Sequence, residues 1–257
     1  MSQDLFKLVD KVAIVWGGGQ GMGERSAICL AQAGCHVAVV DLERERADRI
    51  CEEIRKLGRR AASLVADITD EEQVDRVVTE VEQQLGPVDC MVTVVGLAFW
   101  KPLLEVDPQE WDRAFDINLK SFFFTARAVA RSLIAHGKPG SIVGVCSVSG
   151  LTSGPLHGPY AAAKAGLANL VRTMAVEWGP DIRINAIAPG AIKTPRLAWT
   201  DDAVAMFKDR VGLQRPGETD EIGKVALFLA SDLSSYVTGV TVPVDGGWMA
   251  EYLIRRT

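Results

Sequence analysis

The chain has 257 residues, a length suited to one α/β domain and able to bury a core without disulfide or metal support. Hydrophobic residues make up 48% and charged residues 24%, which excludes a largely disordered or fibrous chain. With 28 basic and 33 acidic side chains the net charge is -5, so no basic field attracts a phosphate backbone and nucleic acid is not an expected partner.

Strand-like apolar runs alternate with helical periodicities along the whole length. Lys11 to Trp16 reads as a buried strand, followed by a glycine-rich turn and a helix from Glu24 to Ala33; His36 to Val40 reads as a second strand and Ala61 to Val65 as a third. Val74, Val77, Val78, Val81 and Leu85 then place one apolar stripe on a helix, with Asp70 as its N-cap. Further strands are expected at Val88 to Val95, Ser141 to Cys146, Ile182 to Ala188 and Val240 to Val244. Helices are expected around 107–136 and 157–178 and through Ile222, Val225, Ala226 and Leu229. This alternation gives right-handed crossovers and predicts an α/β, doubly wound Rossmann-type fold in a single domain over 1–257, with a mainly parallel sheet and helices on both faces. Residues 195–216, polar and flanked by prolines, read as a flexible helical lid over the substrate.

The longest uncharged stretch, Pro139 to Ala163, holds five glycines and three prolines and cannot make a membrane helix. Five unpaired cysteines, at 29, 35, 51, 90 and 146, read as structural thiols in a reduced, cytoplasmic compartment. The N-terminal segment carries acids and no apolar core, so it is not expected to be a targeting signal.

The chemistry starts at GGGQGMG, residues 17–23. Gly17, Gly19, Gln20, Gly21, Met22 and Gly23 follow a strand and open a helix, where close backbone approach and free N–H groups suit a pyrophosphate. Asp41 ends the second strand, where an acid bonds the adenosine ribose and repels a 2′-phosphate; Leu42 beside it is not a base. NAD is therefore expected rather than NADP. Arg44 and Arg46 alternate with Glu43 and Glu45 and read as a solvated helix face. Tyr160 and Lys164, four apart on a helix, share one face, and Ser147 ends the fifth strand at the carboxyl edge of the sheet, where such folds bind ligands.

These motifs in this order resemble the short-chain dehydrogenase/reductase family, in its form of about 250 residues, over essentially the whole chain. The resemblance aligns the glycine loop with Trp16 to Gly23, the acid after the third strand with Asp67, the PG motif with Pro189 and Gly190, and the terminal DGG with Asp245 to Gly247. It implies catalysis by Asn118, Ser147, Tyr160 and Lys164: Tyr160 exchanges a proton with the substrate oxygen, Ser147 polarises it, Lys164 lowers the tyrosine pKa and binds the nicotinamide ribose, and Asn118 holds a water. It also implies cofactor contacts from Asp67 and Ile68 to the adenine, from Thr93 and Gly96 near the nicotinamide, and from Ile192 and Thr194 to the carboxamide. No metal is required. Two departures stand out: Trp16 replaces a threonine, and TVVG at 93–96 replaces NNAG, so an apolar contact is expected where two polar groups usually tie the strand ends.

Cys146 is expected to point away from the site. His157 is placed in the cleft, and Phe99, Trp100, Leu151 and Trp199 form a candidate apolar wall. The expected enzyme interconverts a secondary alcohol and a ketone on a bulky, apolar or cyclic substrate, hydroxysteroid- or terpenoid-like, as a homotetramer. The rival readings are a 3-oxoacyl-carrier-protein reductase, which Asp41 disfavours, and a non-catalytic dinucleotide-binding regulator, which the intact catalytic set disfavours.

Overall fold

The computed structural model describes residues 4–152, 154–196, 198–208 and 210–250. Strands β1 (Val12–Trp16), β2 (His36–Asp41), β3 (Ala61–Val65), β4 (Cys90–Thr93), β5 (Gly140–Val145) and β6 (Ile182–Pro189) alternate with helices α1 (Gly21–Gln32), α2 (Arg44–Lys56), α3 (Glu71–Leu85), α4 (Pro108–Phe115), α5 (Ser121–Ala135) and α6 (Gly158–Glu177). Two-residue strands β7 (Ile192–Lys193) and β8 (Gly217–Glu218) flank a short helix α7 (Asp201–Ala205); α8 (Thr219–Ala230) and β9 (Thr241–Val244) end the described chain. The main sheet has the order β3-β2-β1-β4-β5-β6-β9 with every neighbour parallel, so both faces must be covered. Side chains of α3, α5 and α6 pack on one face and those of α1, α2 and α8 on the other. This is the doubly wound α/β fold that the alternation predicts.

Local chemistry explains the elements. The α3 stripe of Val74, Val77, Val78, Val81 and Leu85 is buried, and the Asp70 carboxylate accepts from the amides of Glu72 and Gln73, satisfying orphan donors of the first turn. Asp107 and Glu110 close a reciprocal capping box at the start of α4. Two boundaries shift for identifiable reasons. Helix α1 begins at Gly21, three residues before the expected Glu24, because Gly21 to Gly23 belong to its first turn. Strand β4 stops at Thr93, although the apolar run continues to Val95, because the chain leaves the sheet where strand order reverses between β1 and β4. No helix of the described residues is long and apolar enough to cross a membrane.

Candidate active site

The reversal between β1 and β4 opens a crevice at their carboxyl ends, the position where doubly wound sheets bind ligands. Gly17, with φ of 75°, turns the chain out of β1, and a Cβ there would lie 2.9 Å from Val95 Cγ2. A Cβ on Gly23 would overlap the Gly17 carbonyl, so α1 rests directly on the loop. Gln20 caps α1 in an extended conformation without any side-chain bond to the first turn, which leaves those N–H groups to an anion.

Asp41 is buried, and its carboxylate accepts from Gly19 N at 3.0 Å and from Glu43 N at 3.2 Å, fixing the loop against the end of β2. A groove of about 390 Å³ runs from there, lined by Gly17, Asp41, Leu42, Asp67, Ile68 and Gly96 among others. Six of the expected cofactor residues thus share one surface. Arg44, expected with Arg46 on a solvated helix face, is exposed and donates to Ser63 O at 2.8 Å, while Arg49, one turn further along α2, donates to Gly19 O at 3.0 Å. Arg46 pairs with Glu43, and its Cβ lies against Gly19.

One expected cofactor contact is placed away from this groove. Thr93 is buried with its hydroxyl 3.2 Å from that of Thr125 on α5, and it does not line the groove. The Ile192 side chain packs against Gly217, with which its main chain pairs in the β7–β8 ladder. Thr194 and Pro195 lie over Gly21 at 3.6–3.9 Å from where its Cβ would be, and Gly190 abuts Asp245, joining the PG and DGG turns. The Trp16 indole is fully buried, with no partner for Nε1 among the described residues, in the cluster that Val95 packs against; Val94 N donates to Trp16 O at 2.9 Å. The strand ends are therefore tied by main chain and apolar packing, as the departures suggested.

The catalytic candidates converge at the adjoining edge. Ser147 leaves β5, buried, and its Oγ accepts from Ser149 N at 3.1 Å, which keeps its own proton available. Lys164 is fully buried, and its Nζ lies 5.8 Å from the Tyr160 ring centroid and donates to Val145 O at 2.8 Å. That bond uses one of three ammonium protons. With no acid beside it, burial lowers the lysine pKa from 10.5 to about 8. Burial also raises Tyr160 above its ordinary value, while the Ser147 hydroxyl beside it pulls it down. Asn118 sits in one wide π-turn, residues 116–120, between α4 and α5. Its Nδ2 donates to Leu97 O and Ala114 O and its Oδ1 accepts from Leu97 N, all at 2.9 Å. Gly96 lies between Asn118 and Lys164: a Cβ there would stand 3.0 Å from Asn118 Oδ1 and 3.1 Å from Lys164 Nζ.

Cys146 points into the core, its thiol donating to Lys164 O at 3.2 Å. The candidate apolar wall separates. Only Trp100 meets His157, with ring centroids 4.8 Å apart; Leu151 packs on the core, Phe99 lies under Arg113, and Trp199 meets Phe207 at a tilt of 45°. The proposed lid is built around α7, capped by Thr200; Leu197 and Asp209 in it lie outside the described residues. Arg196 reaches from it across the groove to Gly96 O at 3.0 Å. Ser149 and Arg196 were not legible as site residues, since neither falls in a motif with a chemical spacing.

A family model described as "Enoyl-(Acyl carrier protein) reductase" matches residues 17–249. The chain is a short-chain dehydrogenase/reductase, a member of a family of oxidoreductases. This dehydrogenase/reductase is 36% identical to a 3-oxoacyl-[acyl-carrier-protein] reductase of Thermotoga maritima over 94% of its own length and 98% of that protein. It is 35% identical to a 2-dehydro-3-deoxy-D-gluconate 5-dehydrogenase of Escherichia coli, with 95% and 98% covered. A solved 7α-hydroxysteroid dehydrogenase, in complex with NADH and 7-oxo glycochenodeoxycholic acid, superposes with a TM-score of 0.91 at 33% identity, covering 96% of this chain and 97% of that one. The three names share the oxidoreductase chemistry and differ in substrate.

Proposed function

We propose that the protein is an NAD(H)-dependent alcohol dehydrogenase or carbonyl reductase that interconverts a secondary alcohol and a ketone. The observation that carries this is the junction of the glycine loop and the Ser147–Tyr160–Lys164 group at one sheet edge. The residues fit a dinucleotide: uncapped amides of α1 suit its diphosphate, Asp41 suits an adenosine ribose without 2′-phosphate, and the buried Lys164 ammonium has protons left for ribose hydroxyls. When bound, the nicotinamide supplies or takes up the hydride.

The chain's own residues handle the proton. Tyr160 gives its phenolic proton to the ketone oxygen in reduction and recovers it in oxidation. Ser147, whose Oγ already accepts from Ser149, donates its hydroxyl proton to the same oxygen and stabilises charge there. The Lys164 ammonium, 5.8 Å from the Tyr160 ring centroid, favours the tyrosinate, which burial disfavours and the Ser147 hydroxyl supports. Asn118 holds the 97 loop closed over Lys164 and keeps a lone pair on Oδ1 for a water.

Under this reading the whole chain is one dinucleotide-binding domain with residues 195–216 as substrate lid, working in the cytoplasm as a homotetramer. A bulky, cyclic or largely apolar substrate, in the hydroxysteroid or terpenoid class, suits the exposed Trp100, which meets His157 beside Tyr160. Acyl-carrier-protein reduction is the second reading, favoured by the likeness to the Thermotoga enzyme and disfavoured by Asp41. A panel of alcohols and ketones followed by NADH absorbance tests the reaction. Tyr160→Phe is expected to lower turnover by at least about 100-fold while NADH still binds; unchanged turnover in that variant overturns the assignment.

A further inference from the structure

The Ser149 hydroxyl and His157 form a hydrogen-bonded pair beside Ser147 and Tyr160 that the chemistry above does not use. His157 is buried; its Nδ1 lies 2.8 Å from Pro155 O and its Nε2 3.0 Å from Ser149 Oγ. A carbonyl oxygen only accepts, so in the neutral ring Nδ1 carries the proton, and the Nε2 lone pair takes the hydroxyl proton of Ser149. Ser149 Oγ is then left with lone pairs and no proton to give. Its amide meanwhile donates to Ser147 Oγ, which fixes the residue carrying this enforced acceptor beside Ser147.

The surrounding loops are shaped around the imidazole. A Cβ on Gly154 would stand 2.6 Å from His157 Cε1, so a side chain at 154 would displace the ring. Leu156 takes a φ of 71°, a left-handed conformation that costs a branched side chain energy, and its carbonyl accepts from Lys101 N at 2.6 Å. Trp100, on the same 100 loop, meets the imidazole in a T-shaped contact at 4.8 Å, and the Tyr160 ring centroid is 6.2 Å away. The ring is thus held from both loops, while Ser149 itself remains partly exposed.

We propose that Ser149, oriented by His157, is a specificity-determining residue that accepts a hydrogen bond from a hydroxyl on the carbon adjacent to the reacting carbon. The substrate class is then an α-hydroxy ketone and the corresponding vicinal diol, whose carbon skeleton lies against Trp100. This inference rests on the alcohol–ketone reading. A ketone without the hydroxyl leaves the Ser149 lone pairs unpaired in the cleft, and an α-methoxy ketone sets acceptor against acceptor, so both are discriminated against.

The test compares reduction of 2-hydroxycyclohexanone, cyclohexanone and 2-methoxycyclohexanone with NADH or NADPH. Wild-type kcat/KM is expected to favour the hydroxy ketone over cyclohexanone by about tenfold, with the methoxy ketone no better than cyclohexanone. Ser149→Ala reduces that ratio to near one, chiefly through KM. His157→Phe, which frees the Ser149 hydroxyl to donate, also collapses the ratio, and His157→Gln, whose amide oxygen accepts in place of Nε2, retains it. If His157→Phe does not fold, Ser149→Ala decides alone. A wild-type ratio near one, or a ratio that Ser149→Ala leaves unmoved, overturns the subsite while ketone turnover survives. Failure to reduce any ketone in a wide panel removes the alcohol–ketone reading and the subsite with it.

Discussion

Gly150→Ala isolates the coupling between Ser147 and the tyrosine helix. Gly150 closes the 3-10 turn that follows Ser147, and a Cβ there would stand 2.7 Å from the carbonyl carbon of Lys164, 2.8 Å from its oxygen and 2.9 Å from Ala165 N. These are main-chain atoms of α6, so no rotamer relieves the overlap. Restoring an ordinary separation of about 3.5 Å requires the turn and the helix to part by roughly 0.7 Å. Overpacking of this kind costs about 1–3 kcal/mol, which at about 2–4 °C per kcal/mol for a chain of this size lowers Tm by roughly 2–12 °C. The same movement separates Ser147 from Tyr160, and misplacement on that scale costs about 10- to 100-fold in kcat. The glycine loop lies elsewhere, so NADH affinity, read by titration calorimetry, is expected to hold. Gly166→Ala on the same helix serves as the control: its nearest neighbour is the end of the Leu119 side chain at 3.0 Å, which can turn aside. Wild-type kcat and Tm in Gly150→Ala would refute the reasoning, as would an equal loss in Gly166→Ala.

Asp41→Ala is expected to narrow the preference for NAD over NADP, measured as the ratio of kcat/KM values, and to cost about 1–3 kcal/mol because Gly19 N loses its buried acceptor; an unmoved ratio counts against the ribose role. Lys164→Met is expected to abolish turnover yet stabilise the dinucleotide-free protein at pH 7. The lysine pKa falls from 10.5 to about 8 on folding, so the unfolded chain binds the proton more tightly, and below pH 8 the charged lysine costs the fold about 3 kcal/mol. The lost bond to Val145 O offsets about 1 kcal/mol of the gain. Wild-type stability recovers this amount as pH rises from about 8 to 10.5, so the gap measured by denaturant titration should shrink over that window; a gap independent of pH sinks the account.

What the sequence revealed divides along physical lines. Period and spacing are local, so the α3 stripe, its Asp70 cap and the shared face of Tyr160 and Lys164 are readable from residue order. The π-turn at Asn118 is not, because DINLK has no glycine or proline that sets an i→i+5 turn apart from the α-helix on either side. Strand alternation places Cys146 correctly in the core, but the direction of Thr93 depends on Thr125, which is 32 residues away. Loop residues are the least readable. Phe99, Trp100, Leu151 and Trp199 look equivalent as aromatic or aliphatic loop residues, yet the fold gives each a different neighbour.

The glycine excess shows the same division. There are 24 glycines against roughly 18 expected at average usage, and five fall in residues 17–23 and five between 140 and 158. In the first segment the closest approach is main chain to main chain, α1 on the Gly17 carbonyl, and it creates the surface for a dinucleotide. In the second, Gly150 meets the α6 backbone, Gly154 meets the His157 ring and Gly144 meets Phe122. Each omitted side chain lets an element carrying a reactive or orienting group approach within van der Waals contact of another. The glycines therefore set distances between Ser147, Ser149, His157 and Tyr160 that no residue in that group could set for itself. Substrate choice should accordingly be sensitive to substitutions at glycines that touch no ligand.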